Sequence, residues 1–175
     1  MRKRMCKRKG FTMVELMVVV IIMAILGLAV MPSLIGSSEK AKYSRAWNDL
    51  NAISNAFTAF YGRVGNLPKM TSGSGSVDLK SGIFTAGTGP EFNGINCEDL
   101  FQSFLGKPLA QIKDPWGAAY KVASSWNPDQ GKGYIVVYVT GVTTTPASFG
   151  SVSVAARMDP YNGSQPMAKL VINVM

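Results

Sequence analysis

The sequence predicts an α+β fold in which one long N-terminal helix lies across a small antiparallel β-sheet, and three observations carry that reading. An apolar run over residues 11–31 contains a single ionisable residue, Glu15. Further on, Ala46, Trp47, Leu50, Ile53, Ser54, Phe57, Phe60, Tyr61 and Val64 recur at three- and four-residue spacing, the period of one helix face. From Tyr120 onward, short β-rich runs alternate with turn-rich segments.

The apolar run comes first. Twenty-one residues of α-helix extend about 31 Å, close to the roughly 30 Å of a bilayer core, so residues 11–31 read as a membrane-inserting helix. Arg2, Lys3, Arg4, Lys7, Arg8 and Lys9 precede it, and such flanks stay cytoplasmic, so the rest of the chain is expected to face outward. An ordinary secretory signal has the same order, and Gly27-Leu28-Ala29 supplies a small-residue cleavage site. Against it stand the length of the run, beyond the roughly 7 to 15 residues of such a signal, and Glu15. At mid-bilayer that carboxylate would cost about 2.5 to 3.5 kcal/mol. Either Glu15 sits near the cytoplasmic end and reaches the headgroups, or it has a partner within the membrane.

Composition narrows the function. The net charge is +8, but six of the 18 basic residues lie ahead of the apolar run, and without them 12 Lys/Arg face 10 Asp/Glu, a net of +2. The basicity is a topology signal, and the remainder has no basic run interleaved with aromatics, so no nucleic-acid partner is expected. There is no histidine, which excludes Ser-His-Asp triads, histidine metal sites and imidazole acid–base work. Asp114, Asp129 and Asp159 each sit beside a proline with a glycine close by, and read as turn residues rather than halves of a carboxylate pair. The chain reads as a non-enzyme with no cofactor and no metal, built as one modest domain plus the anchor.

The elements follow in order. Pro32, with Gly27 and Gly36 on either side, predicts a kink or local melting, or the end of the helix at the membrane surface. The periodicity beyond argues for continuation, with Lys42, Arg45, Asn48, Asp49, Asn51 and Asn55 on the opposite face. One helix from about Phe11 to about Arg63 would run roughly 80 Å. Gly62 and Gly65-Asn66-Leu67-Pro68 terminate it. Residues 71–94, rich in Gly, Ser and Thr, read as an extended surface loop with a short strand at Ile83-Phe84; Gly73-Ser74-Gly75 lacks the Gly-Lys-Ser/Thr of a phosphate loop. A short helix follows, capped by Asn96, with Glu98 and Asp99 in its first turn, Leu100, Phe101, Phe104 and Leu105 as its apolar face, and Cys97 as a small packed residue. Asp114-Pro115-Trp116-Gly117 is a turn that folds Trp116 over the domain. Strands are expected over residues 120–123, 134–139, 151–156 and 170–174, with turns over 127–131, 143–150 and 159–163. One sheet face would cover the aromatic stripe of the helix, giving two packed layers.

Lys9-Gly10-Phe11-Thr12, with Glu15 and the apolar run behind it, resembles the processing signal of type IV pilins and of the pseudopilins of type II secretion. The resemblance implies a pilin fold. It also implies a prepilin peptidase that cuts between Gly10 and Phe11 and N-methylates Phe11. The chain then divides into a cleaved basic leader, residues 1–10, a transmembrane and filament-core helix, 11–32, and an outward-facing globular domain, 33–175. Glu15 becomes the fifth mature residue, placed to meet the new amine of Phe11 on a neighbouring subunit. Asp114-Pro115-Trp116-Gly117 followed by Tyr120 is similar to the turn before the sheet in major pseudopilins.

The leading implication is a subunit of a secretion pseudopilus. Its partners would be other copies of itself, the prepilin peptidase, an inner-membrane assembly platform and membrane lipid. It would cross the bacterial inner membrane once, N-terminus cytoplasmic, and join a periplasmic or surface filament. A type IV pilus subunit for adhesion, motility or DNA uptake is the alternative, and a membrane-tethered binding module that never polymerises is a third. Two departures accompany the resemblance. Many type IV pilins close a C-terminal loop with a disulfide, whereas here Cys6 lies in the leader and Cys97 is left alone. Major pseudopilins bind calcium in the loop after the second strand of the sheet, an ion that takes about six to eight oxygen ligands. Residues 140–146 hold no carboxylate and Asp129 in the preceding turn is one ligand, so calcium-independent folding is expected.

Overall fold

The computed structural model describes residues 10–67, 70, 76–84, 90–127 and 130–174, apart from the side chains of 32–35 and 172–174. The basic leader up to Lys9, Pro68, Gly73-Ser74-Gly75, Gly87, Gly89, Pro128 and Asp129 lie outside the described residues. Two compact units are formed, Met1–Lys40 and Ala41–Met175.

Helix α1, Met13–Val64, begins in the first unit. Thr12 caps it: the Glu15 N–H donates to Thr12 Oγ1 at 3.2 Å, and the Leu16 N–H donates to the Thr12 carbonyl at 3.2 Å. Thr12-x-x-Glu15 is the capping-box pattern, in which the first residue takes up a free donor of the opening turn. Gly27, Pro32 and Gly36 all fall within the helix, so Pro32 does not end it.

In the second unit α1 buries Ala46, Leu50, Ile53, Ala56, Phe57 and Phe60, while Asn48, Asn51 and Asn55 face solvent, as the periodicity predicts. Gly65 stops the helix: its φ of 82° is open to a residue without a Cβ, and its N–H donates to the Tyr61 carbonyl at 2.7 Å. Helix α2, Cys97–Leu105, is capped by Asn96, whose side-chain oxygen accepts from Glu98 N–H at 3.1 Å and Asp99 N–H at 3.3 Å. Phe101 is buried against Phe57, ring centroids 4.5 Å apart. Phe104, expected on the apolar face, is instead exposed, because the inward stripe runs through the buried Cys97 and Phe101 and the partly buried Leu105 and leaves position 104 at its rim.

The strands are β1 Ser76–Asp78, β2 Lys121–Ser124, β3 Gly133–Tyr138, β4 Thr144–Phe149, β5 Val152–Asp159, β6 Gln165–Pro166 and β7 Ala168–Val174. They form two antiparallel sheets, ordered β1-β2-β3-β7 and β4-β5-β6. On β3 the side chains alternate between two cores. Ile135 and Val137 join the helix residues around Phe57 and Phe60, whereas Val136 and Tyr138 join Val152, Val154 and Ala156 of β5. Both faces of the larger sheet are therefore covered, which is why residues 134–139 read as an unbroken apolar run rather than an alternating one.

The domain thus has three layers where two were expected, and the stretch 143–150 expected as a turn contains β4. Its Thr, Pro and Ser residues mimic turn composition, and it is an edge strand whose ladder comes wholly from β5. At the β4–β5 turn Gly150 has φ 60°, and a Cβ there would clash with the Tyr134 ring. The expected surface loop 71–94 is also corrected. It supplies β1 and the buried Leu79, Ile83 and Phe92, while Ile83-Phe84 yields only a single bridge, Met70 to Phe84. Isolated apolar residues among glycines carry no period, so their burial is set by the tertiary fold.

Candidate functional site

Gly10, Phe11 and Thr12 precede the first helical turn and are exposed, and Glu15 stands within that turn, also exposed. A carboxylate here lies at the positive end of the helix dipole. No side chain of the described residues pairs with it. From Phe11 to Met31 every residue is exposed, and the helix is long and apolar enough to cross a membrane. Such a surface is unstable in water and requires lipid or other apolar helices around it.

In the second unit, two Asp-Pro turns organise the polar interior. The Asp114 carbonyl accepts from Gly117 N–H at 3.0 Å, closing the expected Asp114-Pro115-Trp116-Gly117 turn, with Gly117 at φ 91°. Asp114 Oδ1 accepts from Trp116 N–H at 3.0 Å and Ala118 N–H at 2.8 Å, while Oδ2 is buried without a partner among the described residues. Trp116 packs on Tyr43 of α1 with ring centroids 4.9 Å apart, and the Arg157 guanidinium lies 3.6 Å from the Trp116 centroid. Asp159, equally buried, accepts from Tyr161 N–H at 3.0 Å and from Trp47 Nε1 at 2.6 Å. It thereby ties β5 to α1.

Tyr120, fully buried just before β2, donates its hydroxyl to Asp49 Oδ2 at 2.9 Å. Burial, then the neighbouring Asp49 carboxylate, pushes the phenol far above its usual range. On the sheet edge Lys121 Nζ lies 2.8 Å from Asp78 Oδ1. That hydrogen bond lowers the Asp78 pKa and raises that of Lys121.

The 114–117 turn stands where the sequence places it, and Gly10, Phe11 and Glu15 lie exposed at the start of α1. Sequence reasoning missed Thr12, although Thr-x-x-Glu was there to be read, and it missed Tyr43, Asp159 as a ligand of Trp47, and Arg157, which no local spacing connects. Cys97 is buried, as expected. No cluster of three or more metal-ligating side chains exists among the described residues. The donors of a calcium site do not fit here. Residues 139–143 after β3 carry no carboxylate, Asp159 is committed to Trp47 and Tyr161, and the Arg157 side chain lies against Gly141 of that segment.

An exposed apolar helix with one carboxylate in its first turn, continuing into a helix-on-sheet domain, defines a membrane-anchored structural subunit of the pilin class. The prokaryotic N-terminal methylation motif matches residues 5–31. The type II secretion system core protein G of Vibrio cholerae is 34% identical over 140 residues, 79% of this chain and 84% of that protein. The proteins of the same name from Klebsiella pneumoniae, 30% identical over 82% of this chain and 91% of that one, and from Dickeya chrysanthemi, 30% identical over 67% and 69%, are also similar. The chain belongs to the family of the type II secretion system core protein G. No solved structure matches it.

Proposed function

We propose that the chain is a structural, non-catalytic subunit of a type II secretion pseudopilus. The observation that carries this is the apolar run 11–31, wholly exposed and matched by a methylation motif, in a chain that aligns with secretion core proteins over most of its length. Residues 1–10 act as a leader and a prepilin peptidase cuts between Gly10 and Phe11. Residues 11–32 hold the subunit in the inner membrane with the N-terminus cytoplasmic, and the domain from residue 33 lies outside. Lipid surrounds the helix in this stored form, and helices of other copies replace lipid when an assembly platform draws the subunit into the filament. A bend at Gly27 and Pro32 adjusts the helix between the two surroundings.

Mass spectrometry of the protein from cells with the peptidase tests this. The expected mature chain starts at N-methylated Phe11, and Gly10→Val blocks cleavage. A mature chain starting near Val30 marks an ordinary signal peptide and overturns the reading.

A further inference from the structure

Arg157 has no ion pair among the described residues, yet its side chain is held from several sides. Its guanidinium lies over the Trp116 ring at 3.6 Å and 5.8 Å from the centroid of Tyr43, whose ring meets Trp116 and Tyr161 edge-on. Gly141 lies against its stem: a Cβ at that position would come within 3.0 Å of Arg157 Cγ and Cδ. The backbone holds the same connection. Arg157 N–H donates to the Val139 carbonyl at 2.7 Å, Met158 N–H to that of Thr143 at 3.3 Å, and Arg157 C=O accepts from Met167 N–H at 2.7 Å.

We propose that Arg157 is a built-in cation that fastens the β3–β4 connection and β5 to the 114–117 turn and α1, so that the domain holds this connection without a divalent ion. The connection is where the pilin resemblance would put calcium ligands. What stands there is a positive charge stacked on an aromatic face, which favours a planar guanidinium and repels a second cation. Gly141 is the counterpart, since a Cβ there would press on the arginine stem and force it to shift.

Thermal unfolding of the full processed chain in detergent, with calcium chloride and then with chelator, tests this. The expected Tm is the same in both. Arg157→Met is expected to lower Tm by about 3 to 6 °C, and Arg157→Lys to restore only part, because the ammonium keeps the charge but not the plane. Gly141→Ala lowers Tm in the same sense, and the double variant Gly141→Ala/Arg157→Met falls no further than Arg157→Met alone, since both disrupt one contact. Tryptophan emission shifts in Arg157→Met as the ring loses its cation. If Arg157→Met does not fold, Gly141→Ala carries the calcium comparison and the emission measurement. A Tm that rises by many degrees with calcium, an Arg157→Met Tm equal to that of the parent, or additive effects in the double variant overturns the proposal.

Discussion

In the proposed filament Glu15 would serve two surroundings. In the isolated chain its own N–H completes the cap on Thr12 while its carboxylate has no side-chain partner among the described residues. In a staggered bundle the amine of a processed Phe11 on a neighbour would meet it, and a wrong register would leave a buried charge unpaired at about 3 to 5 kcal/mol. Glu15→Ala is therefore expected to insert and be cleaved normally but to form few filaments, measured as filament yield against processing in the membrane fraction. Normal filaments from that variant would refute the pairing. Tyr120 gives a prediction in pH. Its phenol stays protonated in the folded chain beyond the ordinary value of about 10, whereas the unfolded chain ionises there, so stability is lost as pH rises past about 10. Denaturant melts between pH 8 and 11 should show this decline, and Tyr120→Phe should flatten it.

Elements differ in how plainly the sequence announces them. Asn96→Ala removes the acceptor of two N–H groups and should cost about 1 kcal/mol, read as a shift of the urea midpoint with unchanged slope. That cap, like α1, β2, β3 and β7, was legible because each has a local cause: a capping side chain, a helical period, or a continuous β-branched run. β4 was not, since Thr144, Thr145, Pro146 and Ser148 carry the composition of a turn and become a strand only by pairing with β5. β1 was hidden in the same way among Gly and Ser residues and forms through pairing with β2. The processing motif was legible because Gly10, Phe11 and Glu15 are contiguous enough to form a pattern. The Tyr43, Trp116 and Arg157 contact was not, because only the tertiary fold brings positions so distant in sequence together.

At the scale of the whole molecule, the division after Lys40 separates two kinds of stability. The second unit contains both hydrophobic cores, and among the described residues the first contributes none of theirs. A chain beginning at Ala41 should therefore fold cooperatively and sediment as a monomer without detergent, checked by circular dichroism and analytical ultracentrifugation. Failure to fold would mean that residues before Ala41 are needed for the cores to form.

The place of β7 in the larger sheet has a consequence for biogenesis. β3 gains its second neighbour only when residues 168–174 arrive, and Met167, fully buried in the helix-side core, arrives just before them. A domain whose central strand waits for residues 168–174 cannot lock early, because long-range pairing must follow loop closure. In the proposed topology, with residues 11–32 held in the membrane and the N-terminus inside, the sheet on the far side cannot close until residues 168–174 have followed the rest of the domain across. The strand order therefore delays closure of the larger sheet until β7 is available.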